Sequence, residues 1–343
     1  MFNGIFYFFL LFGLTTVSSA QDHRLSAIAM REDFQFIREQ VFNVHANPFS
    51  QLTKQKYNAY FDSLETGLNQ PLAVADFQRK VSLALIPLGD EHAAISIRNA
   101  KAQKKTPSWA DSVATNLSYQ RLGTIGYLFA RSFATRSSQD LAVYERCIDS
   151  LFTLIRRDSV TRLVIDVSRN EGGASAVGTM IIKHIFHKPY KSYSMSWKRS
   201  EAYLAKLSSW GFHDEMYQKA LPGELLQFPA TTVVPGQVAN PFKGKVIVII
   251  GPQTFSSAIM FATLVQDNKM ALLAGESPVK GHPTHFGEMY STLLPNSQLE
   301  VRFGVKEWIR PAGRGNVNKL VPDLPCKLPT NKDLPLLVKQ LQW

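Results

Sequence analysis

The sequence predicts an α/β fold in which a parallel core of βαβ units follows an N-terminal helical layer. Residues 31–86 place apolar side chains near the 3.6-residue period of a helix. Two apolar runs, at residues 163–167 and 245–250, each lead through a turn into a helical pattern, and a further apolar run follows at 270–274. Two strand–turn–helix units followed by a strand indicate a parallel sheet.

The helical layer is predicted from three amphipathic segments, so we assign residues 21–92 to an N-terminal helical region. Phe34, Ile37 and Val41 mark the first segment, and the third begins after Pro71 and ends at residues 87–89. Residues 45–48 break the first segment.

Residues 93–343 are assigned to the α/β core. Its first strands are predicted at 93–97 and 123–129, and an amphipathic helix is predicted at 140–156. The two βαβ helices are expected at about 175–186 and 256–266. The segment between the two units, at about 189–242, is rich in aromatic residues, Lys and Pro, and we interpret it as an insertion that covers the core.

Composition limits the class of protein. The chain has 343 residues, of which 45% are hydrophobic and 19% charged, which excludes a disordered or collagenous chain. The formal net charge is +11, but the longest basic cluster, residues 101–105, holds three lysines and no aromatic side chain. We therefore expect a solvated basic surface and no nucleic-acid partner.

Residues 1–20 have the pattern of a secretory signal peptide. They carry no charged side chain, contain an apolar run at residues 5–14, and end in small residues before Gln21. The run is shorter than the roughly 20 residues that span a bilayer. We expect export to the periplasm or the extracellular space, with no membrane insertion after cleavage.

The two cysteines, Cys147 and Cys326, are too few for a disulfide scaffold and lack the paired spacing of a zinc site. One disulfide bridge and two free thiols both remain open.

Reactive groups of open α/β sheets gather at the carboxyl ends of the strands. After the strand at 245–250, residues 251–258 place hydroxyl groups at a helix start, where a serine is either an N-cap or a nucleophile. After the strand at 163–167, Gly172 and Gly173 form either a tight turn or a set of N–H donors for an oxyanion. The sequence motifs of nucleotide-binding loops are absent.

Four segments, in this order along the chain, resemble motifs of the S41 peptidases, the clan of C-terminal processing and tricorn-core proteases. Residues 88–92 (LGDEH) resemble the family's L-G-D-G-H-T motif, and residues 163–173 (LVIDVSRNEGG) resemble its D-x-R-x-N-x-G-G turn. Residues 254–258 (TFSSA) are similar to its nucleophile segment, and residues 321–323 (VPD) to a shortened V-x-P-D signature. The resemblance implies a ClpP/crotonase-like core in a short form without a PDZ domain.

Carried over by position, the resemblance implies that Ser256 is the nucleophile. It also implies that the N–H groups of Gly172, Gly173 and Ser257 form the oxyanion hole. His92 corresponds to the base of the tricorn-like branch.

Lys280, 24 residues after Ser256, is the alternative base, as in the processing branch. We favour His92, because an imidazole is neutral near pH 7, whereas a lysine needs its pKa lowered by about three units. The carboxylate that orients His92 stays open among Asp90, Glu91 and Glu288.

The resemblance therefore implies a secreted serine-type endopeptidase that hydrolyses peptide bonds through an acyl-enzyme, without a metal or organic cofactor, on peptide or protein substrates. The alternative is a catalytically inactive binding protein of the same fold for an apolar ligand or peptide, since the clan also contains retinoid carriers. Under either function, aromatic side chains of the insertion would line an apolar pocket. They are Tyr190, Tyr193, Trp197, Tyr203 and Trp210.

Overall fold

The computed structural model describes residues 24–97, 113, 115–314, 318–328, 335, 337, 340 and 341. The predicted signal peptide and the lysine cluster at 101–105 lie outside these residues. Two main sheets flanked by helices make up the described chain, so the predicted α/β class is confirmed. None of the helices within the described ranges has the length and apolar character needed to cross a membrane.

The α-helices, numbered in chain order, are α1 (Ala27–Val44), α2 (Lys54–Glu65), α3 (Val74–Ser82), α4 (Ser138–Arg157), α5 (Ser175–Ile185), α6 (Glu201–Ser209), α7 (Glu215–Lys219) and α8 (Ser257–Asp267). A 3-10 helix, Leu83–Leu88, continues α3. Side-chain caps begin the first two helices, because the Ser26 and Thr53 hydroxyls accept first-turn N–H groups.

The strands, in the same order, are β1 (Arg24–Leu25), β2 (Leu72–Ala73), β3 (Ala94–Ile97), β4 (Leu117–Leu122), β5 (Ile125–Ala130), β6 (Arg162–Asp166), β7 (Tyr190–Lys191), β8 (Ser194–Lys198), β9 (Leu225–Phe228), β10 (Thr232–Val233), β11 (Lys245–Ile250), β12 (Leu272–Gly275), β13 (His285–Leu293), β14 (Leu299–Ile309) and β15 (Leu324–Pro325). Each strand predicted in the βαβ units is present within one or two residues of its predicted bounds.

The first sheet has the order β15-β12-β11-β6-β5-β4 and is parallel except for β4. In its centre Val248 pairs with Ile165 on one side and with Leu273 on the other. Helices α4, α5 and α8 contribute side chains to the cluster on one face, and Leu337 and Leu341 to the cluster on the other. The central strands are apolar because both of their faces are buried.

The second sheet is antiparallel, and the pattern expected from the sequence did not include it. Strand β14 pairs with β13 along one edge and with β3 and then β8 along the other, and β9 extends the sheet from β8. The segment at 189–242, interpreted as an insertion, thus supplies two strands of this sheet, β8 and β9. A period-two alternation in β14, with Leu299, Val301, Phe303 and Val305 buried, is the signal that was missed.

The N-terminal helices pack on this antiparallel sheet. Phe34, Ile37 and Val41 of α1 share one hydrophobic cluster with Val301 and Phe303 of β14. The loop after the 3-10 helix is thereby held where β14 passes, and the boundary proposed at residue 92 falls within this loop.

Both cysteines lie in the described part of the chain and are free thiols. Cys147 and Cys326 are partly buried against different hydrophobic clusters. Burial raises the pKa of both thiols.

Candidate active site

Ser256 occupies a sharp turn between strand β11 and helix α8. Its backbone has φ 52° and ψ −126°, a region that non-glycine residues rarely adopt. Although Ser256 stands at the N-cap position, its side chain makes no capping hydrogen bond in the described helix start. The N-cap interpretation therefore does not account for this serine, whereas a strained strand-to-helix turn is the geometry that presents a nucleophile.

Hydrogen bonds from neighbouring loops hold this turn. The Thr254 hydroxyl accepts the Gly251 N–H and donates to the Val167 carbonyl, both at 2.9 Å. The Phe255 N–H donates to the Asn170 carbonyl at 3.0 Å. The loops after β6 and β11 are thus joined into one unit around Ser256.

The two glycines of the β6 loop lie against the serine turn. Gly172 has φ +99°, and a Cβ placed on it would lie 2.8 Å from the Cβ of Ser256. Gly173 has φ +137°, and a Cβ there would lie 2.1 Å from the backbone of Phe133. The Ser257 hydroxyl donates to the Gly173 carbonyl at 2.9 Å. Neither position has room for a side chain, so the close approach requires glycine.

The predicted oxyanion donors differ in their partners. The Gly172 N–H donates to Oδ1 of Asn170 at 2.8 Å, so in this arrangement it is engaged within its own loop. The N–H groups of Gly173 and Ser257 are the remaining candidates. Ser257 opens helix α8, whose first-turn N–H groups have no partner within the helix. A helix N-terminus also favours negative charge.

His92 lies beside this turn although it belongs to the other half of the chain. Its imidazole packs against the ring of Phe255, the residue before Ser256, with 4.5 Å between ring centroids and 31° between the ring planes. Gly89, in the left-handed conformation at φ 60°, ends the 3-10 helix and turns the chain toward this position. The His92 side chain is 14% exposed.

Asp90 is the carboxylate next to His92. Its Oδ1 accepts the His92 backbone N–H at 2.8 Å and lies 3.6 Å from Nδ1 of the imidazole, while its Oδ2 accepts the Gly304 N–H at 2.7 Å. Burial alone would raise the pKa of Asp90, but contacts with His45, His92 and the Gly304 N–H outweigh it and hold the pKa well below its ordinary value. Asp90 therefore carries a negative charge at neutral pH.

The other two candidate carboxylates have different partners. Glu91 contacts His282, and Glu288 lies 3.7 Å from Lys306 with 48% of its side chain exposed. Of the three carboxylates, Asp90 is therefore the one that lies next to the His92 imidazole.

Lys280, the alternative base, also lies near the serine turn. Its ammonium group is 4.9 Å from the centre of the Phe255 ring and donates to Glu171 at 3.1 Å. Half of its side chain is exposed. The structure therefore brings both candidate bases to Phe255. His92 is largely enclosed and lies beside a carboxylate, whereas Lys280 lies at the surface in an ion pair.

His285 is a buried histidine behind His92, with 6.2 Å between the two ring centroids. Its Nδ1 lies 3.1 Å from the Pro283 carbonyl, which fixes the ring proton on that nitrogen. Burial is the main cause that lowers the pKa of His285 to about 4. It is therefore neutral at physiological pH.

The aromatic residues predicted to line an apolar pocket pack mostly into the core. Tyr190, Tyr193, Trp197 and Tyr203 are buried, whereas Trp210 is 58% exposed. Trp197 stacks on Tyr217 at 4.2 Å between ring centroids. No group of three or more His, Cys, Asp or Glu side chains with the arrangement of a metal site occurs among the described residues.

Known proteins were compared with this chain by family model and by sequence. The model of peptidase family S41 matches residues 124–326. The comparison with curated protein sequences gives no match.

Three solved structures are similar to this chain at low sequence identity. A candidate peptidase from Parabacteroides merdae has a TM-score of 0.60 at 15% identity, over 91% of this chain and 92% of that one. Mature CPAF has a TM-score of 0.55 at 9% identity, over 87% and 93%. A lipoprotein from Streptococcus agalactiae has a TM-score of 0.51 at 14% identity, over 91% and 94%. These likenesses support the fold.

Proposed function

Because the chain belongs to peptidase family S41, we propose that it is a serine-type endopeptidase that hydrolyses peptide bonds through an acyl-enzyme on Ser256. The observation that carries the proposal is the strained Ser256 turn beside His92, whose ring packs against Phe255 and whose Nδ1 faces the Asp90 carboxylate. In this proposal Ser256, His92 and Asp90 take the roles of the nucleophile, the imidazole base and the carboxylate of a serine triad.

In the first half of the reaction, Oγ of Ser256 attacks the scissile carbonyl while Nε2 of His92 accepts the hydroxyl proton. The N–H groups of Gly173 and Ser257 stabilise the negative charge on the carbonyl oxygen. The C–N bond then breaks, and His92 returns its proton to the leaving amine. Asp90 stabilises the imidazolium that exists between these two transfers.

In the second half, His92 removes a proton from a water molecule that attacks the acyl-enzyme. The bond to Oγ breaks, Oγ regains its proton from His92, and the carboxylic acid product leaves. The proposed substrates are peptides or proteins, as membership of a peptidase family implies. We also propose export to the periplasm or extracellular space, on the signal-like pattern of residues 1–20.

The direct test is digestion of reduced, carboxymethylated casein by the purified protein, with fragments identified by mass spectrometry. We expect Ser256→Ala to lower the rate by at least about 10⁴-fold. Ser150→Ala is the matched control, because it removes an exposed serine hydroxyl that bonds within helix α4, outside the candidate site.

Absence of fragments with the folded wild-type protein would contradict the proposal and favour the inactive binding protein. Full activity of Ser256→Ala would contradict the assignment of the nucleophile.

A further inference from the structure

A second histidine, His45, contacts the carboxylate that orients His92. It follows the last residue of helix α1, where its backbone N–H donates to the Val41 carbonyl at 3.2 Å. Its side chain is fully buried and lies 4.4 Å from the Phe286 ring and 5.8 Å from the Phe303 ring, between centroids. Residues from three elements thus fix the position of this imidazole.

The hydrogen bond at one ring nitrogen determines the role of the other. Nδ1 of His45 accepts the Asn47 backbone N–H at 3.2 Å, so the proton of the neutral ring lies on Nε2. Nε2 is 3.5 Å from Oδ2 of Asp90 and has no hydrogen-bond partner elsewhere in the described residues. The N–H therefore faces one acceptor, the carboxylate.

We propose that His45 is a positioning residue for the reaction, whose Nε2–H holds the Asp90 carboxylate in the orientation from which Asp90 acts on His92. This inference rests on the proposed function. Each oxygen of Asp90 then has a separate task, since Oδ1 faces His92 and Oδ2 is held by Gly304 and His45.

The contacts of both histidines with Asp90 are slightly longer than a hydrogen bond. Nδ1 of His92 is 3.6 Å from Oδ1, close to the 3.5 Å of the His45 contact, and it too is buried with no hydrogen-bond partner among the described residues. A movement of about 0.5 Å would bring both nitrogens within hydrogen-bond distance. Catalytic hydrogen bonds are often long without substrate and shorten when it binds.

Contacts of the neighbouring residues also hold the backbone around His45. Lys198 donates to the His45 carbonyl at 3.3 Å, and Asn47 donates to the buried Glu307 carboxylate at 3.3 Å. The charged and titratable groups around the pair are therefore Lys198, Glu307, His92 and, behind His92, His285. None of these replaces His45 as a donor to Oδ2 of Asp90.

Two amide substitutions separate positioning from packing. In His45→Gln the side-chain amide reaches the place of Nε2 and can donate to Asp90, whereas in His45→Asn it reaches only the place of Nδ1. Both variants keep a polar amide, and thermal unfolding of each is recorded to monitor the fold. The measurements are kcat and KM on the peptide bond cleaved in casein, and the rate of labelling by a fluorophosphonate probe.

We expect His45→Asn to lower kcat and the labelling rate about 10- to 100-fold with little change in KM, because a misplaced Asp90 misplaces His92. We expect His45→Gln to stay within about threefold of wild type. Equal rates for wild type and both variants would overturn the inference. So would equal losses in the two variants that follow their melting temperatures.

A further readout separates this inference from the proposed function. If the wild-type protein neither cleaves nor is labelled, the proposed function fails. The ¹⁵N and ¹H resonances of the His92 imidazole then still test the contact through Asp90. We expect them to shift in His45→Asn and to stay near wild type in His45→Gln, and no shift in either would overturn the positioning role.

Discussion

The two regions that meet at the candidate active site are built by different means. The serine region, on the parallel sheet, depends on backbone: the positive φ of Ser256, the two glycines and the peptide hydrogen bonds between loops. The histidine region, on the helices and the antiparallel sheet, depends on buried side chains, with Asp90 bonded to Gly304, 214 residues away. Backbone sterics therefore determine the geometry of the serine region, whereas long-range polar contacts determine that of the histidine region.

Apart from loss of the nucleophile itself, the largest effect should come from removing the negative charge of Asp90 in the histidine region. We expect Asp90→Asn to lower kcat about 10²- to 10⁴-fold, because the amide neither stabilises the imidazolium nor fixes the ring. Casein cleavage kinetics and thermal unfolding of the same samples provide the measurement. Glu91→Gln, which alters the neighbouring carboxylate that contacts His282, should remain within about twofold.

This comparison fails if Asp90→Asn cleaves at the wild-type rate, or if Glu91→Gln is as damaging.

A smaller effect is expected from a methyl group placed in the serine region. In Gly172→Ala the new Cβ meets the Cβ of Ser256 at 2.8 Å and the backbone has φ +99°. We expect a stability loss of about 1–3 kcal/mol and a lower kcat, since the turn must move. Gly123→Ala is the control, because Gly123 has φ +61° and open space around its Cβ position.

Urea denaturation and casein cleavage of both variants separate the effect of backbone strain, which both share, from the effect of contact with Ser256, which only Gly172→Ala makes. Loss of activity in Gly123→Ala as large as in Gly172→Ala would mean that proximity to Ser256 is irrelevant.

Residues of the histidine region should also make the free energy of unfolding depend on pH. The pKa of His285 is lowered to about 4 in the folded protein, mainly by burial, and is near 6.5 in the unfolded chain. The unfolded state thus binds the proton more tightly, so this stabilisation is present above pH 6.5 and is lost as the pH falls toward 4. The expected loss is roughly 3 kcal/mol.

Asp90 contributes in a different window, because its lowered pKa gives stability that persists until the pH falls below about 4. Urea unfolding at pH 7 and pH 4.5 should therefore show a smaller drop in His285→Gln than in wild type. The exposed His213 provides the control variant His213→Gln, which should drop as the wild type does. Identical drops in all three proteins would contradict the assignment to His285.

The smallest effect is expected at the surface of the serine region. Lys280 is half exposed and pairs with Glu171, so Lys280→Ala should change kcat by no more than about threefold. The same casein assay measures it. A loss comparable to that of Asp90→Asn would make Lys280 the base in place of His92.

The serine region could be predicted from the sequence more fully than the histidine region. The parallel core was predictable because strands buried on both faces are continuous apolar runs, as at residues 163–167 and 245–250. The serine and glycine positions follow from loops at the carboxyl ends of these strands. The antiparallel sheet was not predicted. Its signal in the sequence is the alternation of buried apolar residues with other residues along β14, with a period of two.

The polar contacts of the histidine region could not be predicted in the same way. From the sequence, Asp90 was one of three candidate carboxylates for orienting His92. His45 was identified only as part of the segment that ends the first helix. No local pattern indicates that Gly304 and His45 converge on one carboxylate, since these contacts form only when α1 packs on the antiparallel sheet.

The central claim, that Ser256 is a nucleophile activated by His92, is tested most directly by the rate of fluorophosphonate labelling. Mass spectrometry of wild type, Ser256→Ala and His92→Ala would locate the adduct. The account predicts one adduct, on Ser256, that is lost in Ser256→Ala and forms at least about 100-fold more slowly in His92→Ala. An adduct at another residue, or labelling of His92→Ala at the wild-type rate, would contradict it.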